Sequence, residues 1–432
     1  MKKVRNENWN KNPEKTLSVL LQEAGKMNHD FKEEVKPYLH DLETAGAAVA
    51  TIHEIGNIIT SNNSYTETFY DALYGVIGVQ IVSGWYYTNK YKRFKKGVME
   101  IGDVIQITRP KAFSGIAQSK EVANRSGSTV DTPHRHDADV QYFAQNLKAY
   151  YKDTIDRDEL KRAFATISAF GSFYDAKLRN VYNMYELDEQ LVFKYLTLKA
   201  LSNASAPTIT YSAGATDEGT AKNILKAVRK TVKKMYFAST SYNLAGVLNA
   251  LSDGDRLNVI MPIDTAEDIS VDALAGAFNL DKLEVQNRVF DIDQFNLADF
   301  EAIRLANIGV IEYTTTAPAA GDADDYISGT LEADGSTTIY VEKADIPSVS
   351  DVAAFIFSDD FFQIYDNLFE MKTRENEEGL FWNYFLHIWQ TWAVSRFAQF
   401  AVVKKAAAAA GGADAAAAGG ADEGGAAAGG GT

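Results

Sequence analysis

The chain has 432 residues, of which 46% are hydrophobic and 23% charged. That is the composition of a folded globular protein, not of a disordered chain, and at roughly 150 residues per domain it allows about three lobes. Cys is absent, which excludes disulfides, thiolate nucleophiles and Cys-ligated zinc or iron–sulfur sites. The net charge of −15 is opposite to that of a domain that grips nucleic acid. Such a chain can line a space that holds DNA without trapping it.

In chain order, Met1 to Asn8 is basic but leads into no apolar run, so no secretory signal is expected. No window approaches the roughly 18 apolar residues of a membrane helix. The expected setting is a cytoplasm, or a particle assembled there. Asn12-Pro13-Glu14 is a helix start, and Leu17, Leu20, Leu21 and Ala24 follow at helix spacing. With the small-residue run Thr44–Ala50 after it, this region reads as an extended arm with a short helix, lying on a neighbour. Val76, Val79, Ile81 and Trp85 suggest a strand. Lys90, Lys92, Arg93, Lys95 and Lys96 then form the densest positive patch of the chain. Apolar residues at 99, 101, 104, 105 and 107 surround a Gly102-Asp103 turn, and a polar excursion follows to Asp139. The pattern is that of a projecting hairpin whose basic patch suits an acidic neighbouring subunit.

Helical periodicity dominates from Asp158 to Asn203, through Leu160, Phe164, Ile167, Leu178, Val181, Tyr182, Tyr185, Leu187, Leu191, Tyr195 and Leu198. It implies one or two long helices beside a sheet. Residues 223–236 form a basic amphipathic helix, 257–262 a short buried strand, 270–278 a helix capped by Ser270, and 288–292 another strand. From 309 to 342 the sequence turns Thr-rich, with hairpin turn signals. Residues 353–365 read as two strands across a Ser358-Asp359-Asp360 turn. Phe381, Trp382, Tyr384, Trp389 and Trp392 belong to an aromatic strand with bulky groups on both sides, expected to be buried in a central sheet. From Ala406 to Thr432 only Ala, Gly, three acids and one Thr occur. Such a segment cannot form a core, so it reads as a flexible tail.

Catalytic signatures are missing: there is no phosphate loop, dinucleotide fingerprint or nucleophile elbow. His53-Glu54-Ile55-Gly56-Asn57 begins like a zinc-protease helix, but Asn57 replaces the second His. His134 and His136, near Asp137 and Asp139, have a spacing that fits metal ligation from a strand, yet Arg135 stands between them in a polar stretch. Asp253, Asp255, Asp322 to Asp325 and Asp359-Asp360 sit in turn contexts. No catalytic residue, metal or cofactor is expected.

The last block carries a resemblance. The strings from Asp359 to Leu368, Met371 to Asn376 and Gly379 to Ala398, with Tyr365-Asp366-Asn367-Leu368, Trp382-Asn383-Tyr384 and Trp389-Gln390-Thr391, resemble the C-terminal region of major capsid proteins of small short-tailed, phi29-like bacteriophages. Weaker matches at Arg93–Gly97, Lys226–Lys230 and Asp272–Asn279 keep the same order, so most of residues 70–400 are covered. The resemblance implies the Hong Kong 97 capsid fold, an α+β architecture. In its terms 1–55 is the N-terminal arm and 56–83 the first part of the peripheral domain. Residues 84–140 are the extended loop and 141–205 the peripheral domain with its spine helix. Residues 206–354 are the axial domain, with an inserted hairpin region at about 309–348; 355–405 return to the peripheral domain, and 406–432 are the tail. Some relatives carry an immunoglobulin-like domain where this chain has the tail. The implied function is a virion shell of pentamers and hexamers, icosahedral or prolate, enclosing double-stranded DNA without specific binding. It would assemble in the bacterial cytoplasm with a scaffolding protein and a portal, and without a membrane. An encapsulin-like compartment is the alternative with the same fold; a metal-dependent enzyme using His134 and His136 is a third.

Overall fold

The computed structural model describes residues 13–44, 49–80, 88–111, 137–250, 257–267, 289–319, 321–333 and 335–406. Four helices come first: α1 (Pro13–Met27), α2 (His29–Thr44), α3 (Val49–Ser61) and α4 (Asn63–Gln80). In α1 the expected stripe of Leu17, Leu20, Leu21 and Ala24 is buried. The Asn28 side-chain oxygen accepts from the amides of Asp30 (3.1 Å) and Phe31 (3.2 Å) and so starts α2. The Asn62 oxygen does the same for Ser64 at 3.0 Å before α4. The helices share one core, in which Phe31, Ile55, Ile59, Phe69 and Tyr70 meet Phe164, Trp382 and Tyr384. Two expectations are thereby corrected. From Pro13 onward the arm is not extended, because four amphipathic helices bury their stripes on the chain's own sheet. Val76 and Val79 lie in α4, not in a strand; Ile81 and Trp85 fall outside the described residues.

The central element is α6 (Ile167–Leu201), which follows the short α5 (Arg157–Ala163). At 35 residues it is about 50 Å long. Its first half contributes Phe170, Val181, Tyr182 and Tyr185 to the core of the N-terminal helices. Its second half contributes Leu191, Val192, Phe193, Leu198 and Leu201 to a second core with Phe355, Phe357, Phe361, Phe362 and Phe400.

Two sheets flank this helix. The first runs β1 (Lys95–Val98), β11 (Phe362–Asn376), β12 (Phe381–Val394), β4 (Leu147–Asp156). Within it β1 is parallel to β11 and the other pairs are antiparallel. The second runs β5 (Thr208–Tyr211), β13 (Phe400–Lys405), β10 (Val352–Ser358), β6 (Leu257–Pro262), β7 (Val289–Ile292). Helix α7 (Asp217–Met235) packs on it through Ile224, Leu225, Val228 and Met235. Two hairpins stand apart: β2 (Ile105–Pro110) with β3 (Ala138–Phe143), and β8 (Tyr326–Thr330) with β9 (Thr338–Glu342). The second hairpin lies where the Thr-rich sequence foretold one. Ile339 and Val341 anchor it in the core, and it approaches α8 (Asp299–Asn307) so closely that a Cβ on Gly329 would stand 2.5 Å from Ile303.

Three readings change here. Strand β1 lies in the body of the subunit, paired to β11, so the basic segment is not carried out on the projecting hairpin. The block 355–405 is divided between the sheets: β10 and β13 belong to one, β11 and β12 to the other. The aromatic strand does alternate. Trp382, Tyr384, Leu386 and Ile388 turn inward, while Phe381, Asn383, Phe385, His387 and Trp389 are half-buried on the opposite face. A strand of period two sorts even a run this bulky into two faces. Ser270 and its helix, and residues 407–432, lie outside the described residues.

Trp382 is 2% exposed and packs 5.5 Å from the Tyr70 ring. Truncation of a buried aromatic costs about 3–5 kcal/mol. Trp382→Ala is therefore expected to lower the thermal midpoint of the unassembled chain by several degrees; an unchanged midpoint would show that sheet and helices do not share this core.

Candidate functional site

Among the described residues no group of three His, Asp or Glu side chains is placed to hold a metal ion. His134, His136, Asp253 and Asp255 lie outside those residues. Asp137 and Asp139 both face the Lys111 ammonium, at 2.6 and 3.5 Å. Asp322 precedes an exposed 3-10 turn, Ala323–Asp325, before β8. Asp359 accepts from the Asn258 amide and Asp360 pairs with Lys96 at 2.8 Å, so both carboxylates serve the crossing between the sheets. His53, Glu54 and Asn57 are on the outer side of α3. Gly56 is explained by packing: a Cβ there would meet the Phe164 Cβ at 2.6 Å. Nothing in these arrangements assembles a nucleophile with a base.

Polar chemistry concentrates on the middle turn of α6. Glu186 and Glu189, one turn apart, are both buried. The Glu186 carboxylate accepts from the Asn89 amide at 3.0 Å and from the Lys92 ammonium at 2.7 Å. Glu189 accepts from the Asn89 side chain (3.0 Å), the Tyr185 hydroxyl (2.8 Å) and the Gln390 amide (3.0 Å), and pairs with Lys95. Lys95 also reaches Asp366 at 2.9 Å. A bulge in the β11–β12 pairing at Asn367 brings Asp366 opposite Gln390, whose amide donates to it at 2.8 Å.

The electrostatics follow from this enclosure. Burial disfavours a charged Lys95, but the Glu189 and Asp366 carboxylates outweigh it and hold its pKa above the ordinary value. Burial likewise pushes Glu189 up, and the Lys95 ammonium with the Asn89 and Tyr185 hydrogen bonds more than reverses it, so Glu189 is depressed. Tyr185 is driven well above its usual range by burial and by the Glu189 charge.

Two further clusters stand on the same helix. Asp188 takes the Arg304 guanidinium of α8 at 2.7 Å and the Tyr151 hydroxyl of β4 at 2.9 Å. Lys194 takes Asp293 and Glu301, each at 2.8 Å. One helix thus holds the start of the hairpin segment, the first sheet and the α8 region through separate sets of charges.

The sequence-expected contact residues divide accordingly. Lys92, Lys95 and Lys96 all have partners within the subunit. Arg93 lies over the Phe290 ring, 4.8 Å from its centroid. Lys90 is exposed. The segment winds so that Tyr91 and Phe94 stack on Phe193 of α6 while Lys92 and Lys95 meet the acids. Sequence reasoning missed Glu186, Asp188, Glu189, Lys194, Asp366 and Gln390. The available signal was the Glu186/Glu189 spacing of three, matching that of Lys92 and Lys95.

What remains outward is the entry to the hairpin. Val98 is 83% exposed, Ile101 and Val104 each 55%, and Tyr142 on β3 is 64% exposed. Val98 at the end of β1, with Ile101, Val104 and Tyr142 beyond it, makes the kind of exposed apolar surface that marks a contact site.

The comparisons with known proteins agree with this picture. Residues 29–404 match the family described as Phi29-like phage major capsid protein. The chain is 28% identical over 359 residues to the major capsid protein of Bacillus phage PZA, covering 82% of this chain and 66% of that protein. It is 28% identical over 347 residues to that of Bacillus phage GA-1, covering 78% and 60%. The chain therefore spans about two thirds or less of the length of these curated relatives. A chain from the capsid structure of Staphylococcus phage Andhra superposes with a TM-score of 0.54 at 12% identity, over 74% of this chain and 85% of that one. The likeness places the fold among phage capsid chains of the Hong Kong 97 kind, an α+β class.

Replacing Lys95 leaves Glu189 buried without its charge partner. Breaking such a pair costs about 3–5 kcal/mol, so Lys95→Met is expected to destabilise the chain strongly in denaturant unfolding. Glu189 is depressed, so its contribution is complete above its ordinary value of 4.5 and is lost as pH falls through the folded value. Lys95 is raised, so its contribution is complete below 10.5 and is lost as pH rises through its folded value. The stability difference between wild type and Glu189→Gln should be flat across neutral pH and shrink below 4.5. A difference that holds constant down to strong acid would show that Glu189 is not ionised in the fold.

Proposed function

The chain belongs to the Phi29-like phage major capsid proteins, and from that premise we propose that it is the repeating subunit of a virion shell that encloses double-stranded DNA. In this reading the shell is tiled by pentamers and hexamers and assembles in the host cytoplasm. A scaffolding protein and a portal are its partners, and its role is structural, not catalytic. The first sheet with α6 serves as the peripheral part of the subunit, the second sheet with α7 as the axial part, and the β2–β3 segment as the extended loop.

The observation that carries the reading is the apolar entry of that loop, where Val98, Ile101, Val104 and Tyr142 are exposed together. A neighbouring copy would cover it. Each contact need not be strong, because every subunit meets several others and the contacts act together. Lys90, exposed beside lysines that are paired within the subunit, is the basic residue offered to an acidic neighbour.

The test is electron microscopy of the expressed full chain, alone and with a candidate scaffolding protein. Exposed substitutions away from packed groups usually change stability by less than about 0.5 kcal/mol. Val98→Asp with Ile101→Asp is therefore expected to abolish closed particles while leaving the thermal midpoint of the subunit unchanged. Particles at wild-type yield would overturn the assignment of this surface. An encapsulin-like compartment predicts closed particles that exclude DNA and hold protein cargo; the nucleic-acid content of particles made during infection separates the two.

A further inference from the structure

We infer that the outer face of α7 is a phosphate-contacting row for nucleic acid, which rests on the shell reading for its biological setting and fixes which side of the axial lobe faces the interior. The helix starts cleanly, with the Thr216 hydroxyl accepting from the Gly219 amide at 3.1 Å. Its inner face, Ala221, Ile224, Leu225, Val228 and Met235, is buried on the second sheet. Its outer face carries Lys222, Lys226, Arg229, Lys230, Lys233 and Lys234, all exposed. They span about 18 Å of helix. No acidic residue occurs from Gly219 to Met235.

That pattern is unusual for a merely solvated helix. Solvated faces commonly alternate signs, because opposite charges four residues apart help a helix and like charges harm it. Here Lys226 and Lys230, Lys230 and Lys234, and Arg229 and Lys233 are like-charged pairs at that spacing. Lys226, Lys230, Lys233 and Lys234 form no ion pair with a described residue, although the chain carries an excess of acids; Lys222 and Arg229 also engage neighbouring groups. The other basic segment, Lys92 to Lys96, is neutralised within the subunit. Lys226, Lys230, Lys233 and Lys234 on α7 are left for something outside it.

Composition decides between a protein partner and a nucleic acid. Protein interfaces are depleted in Lys and built around aromatic and Arg anchors. Five of the six cations here are Lys; the exposed aromatics Tyr236 and Phe237 lie beyond the end of the helix, not within the row. A row of Lys ammonium groups is suited to phosphate contacts that do not depend on base sequence. An acidic subunit with one basic row would repel packaged DNA over most of its surface and touch it along a line.

The experiment measures fluorescence anisotropy of a labelled 20-base-pair duplex with the unassembled full-length chain across a salt series. The variant carries Lys226→Gln, Lys230→Gln, Lys233→Gln and Lys234→Gln, substitutions that keep helix propensity and remove like-charge repulsion. Its thermal midpoint is expected to equal or exceed that of wild type. At about 50 mM salt the variant should bind the duplex at least about tenfold more weakly, and its slope of log affinity against log salt should shrink by roughly 3 to 4. Absence of duplex binding by wild type, or an unchanged affinity and slope in the variant, overturns the inference. So does a variant that retains DNA affinity but no longer forms particles, which would make the row a contact between copies. Particle formation is scored separately by microscopy. Normal particles without duplex binding sink this inference alone; duplex binding through the row without particles supports it and sinks the shell reading.

Discussion

Two carboxylates on one helix hold the subunit together. Glu186 and Glu189 are buried in the middle of α6, where an uncompensated charge would be very costly. They are tolerable only because Lys92, Lys95, Asn89, Tyr185 and Gln390 converge on them from three parts of the chain. The requirement runs in one direction. The helix can carry charge on its buried middle turn only if the segment at 89–96 lies where it does. That position in turn dictates the parallel pairing of β1 with β11 and the point at which the hairpin leaves the body. The neighbouring clusters at Asp188 and Lys194 repeat the device toward α8. A helix with three separate polar sockets fixes the rotation of its neighbours more tightly than apolar packing alone, since hydrogen-bond directions tolerate less slip than contact area does.

Much of the architecture was readable from local pattern. The α1 stripe, the long helix, the β6 strand, the Thr-rich hairpin and the basic helix could be found because each has its own periodicity and turn chemistry. The family resemblance of the last block was readable from its strings of Trp, Tyr and Asn. The misreadings have one physical source, which is partner choice. Val76 and Val79 fit a strand as well as a helix until the capped start at Asn62 and the buried face of Phe69, Tyr70 and Leu73 are considered. The lysines at 92 and 95 looked like an exposed patch because a charge is assumed to face water unless an opposite charge is within reach. Their partners lie about a hundred residues further on and further still. The turn expected at Ser358-Asp359-Asp360 falls at Asp359 and Asp360, after Ser358 ends β10, but nothing local says that the two strands it joins enter different sheets.

Charge is therefore distributed by two rules in the same molecule. Where a cation meets a buried acid it serves the fold, as at Lys95 and Lys194. Where it meets none it stays outside, as at Lys226, Lys230, Lys233 and Lys234 on α7. The overall charge of −15 describes neither population, and the lysines at 92, 95 and 96, in the densest positive run of the sequence, are paired with acids of the same subunit.

The division of the last block between two sheets governs the order in which the chain can fold as it is made. In the first sheet the outer strands β1 and β4 come early, while β11 and β12 between them come after residue 361. In the second, β5, β6 and β7 precede residue 293, while β13 and β10, which join β5 to β6, begin at residue 352. A ribosome moving at about 5–20 residues per second thus releases the rims of both sheets many seconds before their middles exist. Until then β1, β4, β5 and β6 have open edges, the kind of surface that invites pairing with other chains. Residues 352–405 close both sheets, so a nascent chain that stalls before residue 352 holds helices, two small hairpins and neither of the larger sheets complete.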